Sequence, residues 1–123
     1  MFERSLSTKT QEAIPKIFPT NVDEVSRLLL DASGVERVHA NILALSWGDM
    51  AKLRELAEIA KTDFRDVVVV EECPEDFLGI ANRPKAAAEM GRRFTALGFS
   101  IPAHTAYWIP QTDTPDTQAS GNA

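Results

Sequence analysis

Cysteine is nearly absent from this chain. Cys73 stands alone, so no internal disulfide can form, which fits a reducing compartment. No stretch approaches the roughly 18 consecutive apolar residues that a membrane-spanning helix needs. The opening "MFERSLSTKT" lacks the apolar core of a secretory signal. The expectation is therefore a cytoplasmic protein. An excess of positive charge is missing too: 13 Lys and Arg stand against 18 Asp and Glu, a net charge of −5. That balance argues against a general nucleic-acid binder, which needs a field of the opposite sign. Histidine occurs only as His39 and His104, and neither has a second ligand at a familiar metal spacing. No phosphate-binding loop, dinucleotide fingerprint or zinc motif is found, so those well-marked classes are excluded and no cofactor is expected.

What remains is an ordinary globular mixture, 44% hydrophobic and 25% charged over 123 residues, enough for one core. We read one globular domain over 1–109 and a disordered tail over 110–123, where "PQTDTPDTQASGNA" has no apolar stripe. Residues 1–19 are left open between a loose segment and a short helix. Such a helix would be capped by Ser7 or Thr8 and broken by Pro15 and Pro19.

One signal recurs between 20 and 70. Asn21-Val22-Asp23-Glu24, Ser33-Gly34-Val35-Glu36, Ser46-Trp47-Gly48-Asp49 and Asp63-Phe64-Arg65-Asp66 each pair a good N-cap residue with an acid three positions on. The cap side chain can accept from free first-turn N–H groups, and the acid suits the positive end of the helix dipole. Apolar residues follow at helical spacing: Val22, Val25, Leu28, Leu29 and Ala32; Val35, Val38, Ile42 and Leu45; Met50, Leu53, Leu56, Ala57 and Ala60. A later helix starts after Asn82, takes Pro84 in its first turn and stops at Gly98.

Two segments also read as strands. "VHANILALS" alternates Val38, Ala40, Ile42 and Ala44, and "DVVVVEE" is β-branched. If both are strands, the order from residue 38 is β-α-β-α-β, with "TAYWIP" last. Asp49, Glu71, Glu72, Cys73 and Asp76 then converge at the carboxyl ends of the strands as an acidic enzyme or small-molecule site. If both are helical, those acids disperse, with Asp49 and Asp66 as caps and Glu71 and Glu72 at a helix end. The four capping patterns favour the helical alternative. The expected fold is mainly α, a small bundle of about five helices with an extended C-terminal segment.

The stretch "GDMAKLRELAEIAKTDFRDVVVVEE" (48–72) resembles part of a group of small proteobacterial proteins. Those pair a Gly-Asp and a leucine-periodic helix with an Asp-aromatic-Arg-Asp-Val motif. The resemblance covers about a quarter of the chain and implies a bacterial, helical protein without assigned activity. Family members carry larger, more helix-compatible residues where this chain has its valine run.

The favoured function is a non-catalytic protein-interaction or regulatory module, with a protein partner expected and a homo-oligomer left open. The candidate partner-binding residues are Trp47, Phe64, Arg65, Arg92 and Arg93, aromatic and arginine anchors of the kind that dominate interfaces. Each has a structural alternative. Arg65 could pair locally, Trp47 could be a buried staple at a helix start, and the cations of 83–97 could simply solvate a face. Trp108, in "TAYWIP", either covers the core or binds a partner. Cys73 is a poor nucleophile candidate, because its acidic neighbours raise a thiol pKa. His39, one residue off its helix's apolar stripe, is expected at the surface or boundary.

Overall fold

A computed structural model describes residues 6–101. His104, "TAYWIP" with Trp108, and the tail over 110–123 lie outside the described residues. Within them the chain is helical, with no strand: α1 (Thr8–Ile17), α2 (Val22–Ala32), α3 (Glu36–Ser46), α4 (Met50–Thr62), α5 (Arg65–Val68), a 3₁₀ turn (Val69–Glu71), α6 (Pro74–Leu78) and α7 (Arg83–Leu97). Five of these helices reach ten residues or more.

The centre is α3. Every residue from Val38 to Ser46 is buried, and α1, α4, α5 and α7 all pack on it. A helix covered on all sides loses its polar face, so periodicity can no longer distinguish it from a buried strand. That is why "VHANILALS" also alternates convincingly. His39 follows the same logic. It is buried, not at the surface, because one residue off the stripe is still inside. Its Nε2 lies 3.0 Å from the Leu29 carbonyl and 2.7 Å from that of Ser33. Both are acceptors, so Nε2 bears the proton and closes the C-terminal end of α2.

The valine run is helical. Val67 and Val70 are fully buried, while Val68 is half-buried and Val69 is exposed. That i, i+3 spacing belongs to a helix, not to an alternating strand. Packing of α5 against α3 and α4 outweighs a propensity deficit of only a few tenths of a kcal/mol per valine.

Two local expectations need correction. Pro15 does not break α1, which continues to Ile17. A mid-helix proline costs about 3 kcal/mol, but Ala13, Ile14 and Phe18 are all buried beside it. Full burial of each large apolar side chain returns about 1.5–3 kcal/mol. The capping patterns locate the helices, but they do not all place the caps. Asn21 holds the cap position of α2 without a side-chain bond to its first turn. Ser33 ends α2, and its Oγ accepts at 3.1 Å from the N–H of Val35, the residue just before α3. Ser46 is the last residue of α3, and Asp49 caps α4 by accepting from the Lys52 N–H at 3.1 Å. Between them Gly48 takes φ 93°, and a Cβ there would come within 3.3 Å of the Ile17 carbonyl. The turn is thus tight against α1 and needs glycine. Asp49→Ala is expected to lower stability by about 1 kcal/mol in urea denaturation. Ser46→Ala, which removes only a back-bond to the Leu43 carbonyl, is expected to cost a few tenths of a kcal/mol.

Candidate functional site

The structure divides the five candidate residues between the two ends of α3. Trp47, Arg92 and Arg93 meet at its C-terminal end, where they line a cleft of about 510 Å³ with Gly91, Ala96 and Ile101. Trp47 is not at a helix start. It closes α3 as its C-cap in the left-handed conformation, φ 43° and ψ 48°, and 39% of its surface is exposed. Among the described residues it is the non-glycine residue with positive φ.

Arg93 ties the cleft together. Its guanidinium carbon lies 5.1 Å from the centre of a Trp47 ring, a cation–π contact. Its Nη1 donates to the Ala44 carbonyl at 2.9 Å, placing a cation at the negative end of α3. Its Nε donates to Glu89 at 2.9 Å. Arg92 pairs with the other oxygen of Glu89 and is far more exposed. Burial alone would push the Glu89 carboxyl up. Hydrogen bonds from Arg92 and then Arg93 overcome that and hold it below the ordinary value. A depressed carboxyl stabilises the fold above its unfolded pKa and loses that contribution as pH falls through the folded one. Acid therefore withdraws the anchor that holds both arginines.

Phe64 and Arg65 lie towards the other end. Phe64 is 52% exposed. Arg65 pairs with Asp63, Nε to Oδ1 at 3.0 Å and Nη2 to Oδ2 at 3.1 Å. The Asp63 carboxylate also accepts from the Arg65 backbone N–H at 3.0 Å, so Asp63 rather than Asp66 closes this turn. Hydrogen bonds from the Arg65 side chain and backbone lower the Asp63 pKa. Arg65 lines a smaller cleft of about 250 Å³ with Arg37, Val68, Val69, Glu71 and Glu72.

Glu71 does stand at a helix end, the last residue of the 3₁₀ turn. It is buried, with its side chain 1% exposed. Arg37 Nε donates to Oε2 at 2.9 Å, Arg37 Nη2 bonds Oε1, and Asn41 Nδ2 donates to Oε2 at 2.8 Å. Arg37 and Asn41 were not singled out in the sequence. Their i, i+4 spacing on α3 was visible, but nothing in the sequence marked the acid they share. The acids of the strand alternative are dispersed: Glu71 is held by the first half of α3, whereas Asp49 follows its far end. No group of three potential metal-binding side chains occurs among the described residues.

Cys73 Sγ donates to the Val69 carbonyl at 3.5 Å. Burial raises its pKa first, and Asp76 and Glu75 add to the effect. Alkylation by iodoacetamide at pH 7 is therefore expected to run slower than for a free cysteine and to accelerate only at alkaline pH. A rate above that of free cysteine would contradict this account.

No family model matches this chain, and neither does any curated protein or solved structure. Among the described residues no helix is long and apolar enough to cross a membrane.

Proposed function

We propose that this is a non-catalytic interaction module of the bacterial cytoplasm, and that a protein partner docks in the cleft at the C-terminal end of α3. The observation that carries the reading is Trp47. A left-handed backbone costs a bulky residue about 1–2 kcal/mol, and glycine would occupy this C-cap without strain. Here the chain keeps a tryptophan whose ring is part-exposed beside an apolar cleft. A strained residue kept at the edge of an open cleft favours a functional reading. Tryptophan and arginine are the residues that most often dominate binding energy, and Arg92 lies on the same cleft. The enzyme alternative has less support, because the acids it would use sit in separate surroundings and Cys73 is disfavoured as a thiolate.

The test is affinity purification with the full chain, its Arg92→Glu variant and its Phe64→Ala variant, each verified by far-UV circular dichroism. A partner retained by the parent and by Phe64→Ala but lost by Arg92→Glu is the expected outcome. If Arg92→Glu retains everything the parent does, the cleft is not the docking site. Loss confined to Phe64→Ala would move the site to the other end of α3.

A further inference from the structure

The two ends of the described chain bring additional charge to this cleft. Lys9 and Lys16 are seven residues apart on α1, and therefore on one helix face. Lys16 Nζ donates to the carbonyl of Ala96, which lines the cleft, at 3.4 Å. Lys9 Nζ donates to Ser100 Oγ at 3.3 Å, one residue before Ile101 at the cleft's edge. Lys9, Lys16 and Arg92 are all exposed. Glu12 lies between the lysines on the same face, and Glu89 lies under the arginines. Four cations thus stand against two acids around one apolar cleft, on a chain whose net charge is −5. The sequence alone hid this grouping, because its members come from opposite ends of the chain.

Resting on the interaction reading above, we propose that the partner is recognised through a short acidic segment carrying an apolar side chain. The apolar group enters between Trp47 and Ile101, and flanking carboxylates meet Arg92, Lys16 and Lys9. The Ala96 and Ser100 bonds of the lysines are long and exposed, so both ammonium groups can turn to an incoming carboxylate. Charge complementarity of this kind selects partners and speeds encounter more than it adds affinity. It also makes binding fall with salt, since exposed charges are screened over roughly 8–10 Å at ordinary ionic strength.

The experiment is selection of a random twelve-residue phage-displayed peptide library on the immobilised full chain, with elution by salt. The expected result is enrichment of sequences that combine one large apolar residue with two or more Asp or Glu. A synthetic peptide of the enriched sequence should bind the Lys9→Glu, Lys16→Glu double variant about tenfold more weakly, and Trp47→Gly about 30-fold or more weakly. Enriched peptides that need Trp47 but show no acidic bias would overturn this inference and leave the interaction reading standing. An absence of enrichment would overturn both. Sedimentation with phosphatidylglycerol vesicles in the absence of enrichment would replace the peptide partner with an anionic membrane surface. Enrichment of sequences copying residues 104–116, which hold Tyr107, Trp108, Asp113 and Asp116, would overturn a separate partner in favour of this chain's own segment.

Discussion

Arg37→Ala is expected to lower the stability of the fold by about 3 kcal/mol, the low end of the cost of breaking a buried ion pair. Glu71 is almost wholly enclosed, and its carboxylate takes three bonds from Arg37, with Nε shared between both oxygens, and one from Asn41. Arg37 itself is about half exposed. It therefore gives up little hydration to make the pair, while Glu71 gives up nearly all of its own. Removing the arginine leaves an enclosed charge with the Asn41 amide as its remaining bond among these three groups, and that is the expensive direction. The Glu71 hydrogen bond is also the leading cause that raises the Arg37 pKa, which shows the same coupling from the other side. Pairs such as Arg54–Glu24, exposed on both partners, are worth about 0–1 kcal/mol. Urea denaturation of Arg37→Ala beside Arg54→Ala separates the two cases. The double variant Arg37→Ala, Glu71→Gln should recover part of the loss, because the buried charge is gone. A loss under about 1 kcal/mol for Arg37→Ala would place this pair with the surface ones.

Trp47→Gly is expected to separate stability from binding. Glycine relieves the left-handed strain, about 1–2 kcal/mol, and forfeits the Arg93 stacking, about 0.5–1 kcal/mol. The two nearly cancel, so the unfolding midpoint should move little. Trp47→Ala keeps the strained backbone and loses the stacking, so it should be less stable than Trp47→Gly by about 1 kcal/mol. Both variants should lose partner binding by about 30-fold or more, the scale of a dominant interface residue at 2 kcal/mol. Identical midpoints for the alanine and glycine variants would show that no strain is held at this position. Undiminished binding by either variant would remove Trp47 from the interface.

The helices were legible in the sequence because their signals are local. Asn82, Pro84 and Gly98 bracket α7 in the order that capping chemistry dictates. The Asn82 side chain does accept from the Lys85 N–H at 3.0 Å, and Gly98 does take φ 93°. Less legible were features set by what packs against a segment. The Ser46-to-Asp49 pattern carries two good cap residues, and the left-handed turn at Trp47 and Gly48 decides between them. The burial of His39 depends on α3 being surrounded, which no property of α3 alone reveals. The candidate site was half visible. Tryptophan and arginine stood out by residue type, so Trp47, Arg92 and Arg93 were found. Lys9 and Lys16 were missed because they join the cleft only when α1 folds onto the end of α7, across separations of 91 and 80 residues.

The enclosure of α3 also governs how the molecule opens. A helix with an outer face can fray or peel into water while the rest of the fold survives, and its amides then exchange with solvent through small, frequent excursions. The middle of α3 has no such route, since α1, α4, α5 and α7 would have to move before water reached it. Its amide protons are therefore released only when the whole domain unfolds, and their exchange rates in deuterium oxide report the global free energy of unfolding. The short helix α6 can open on its own and should exchange well before it.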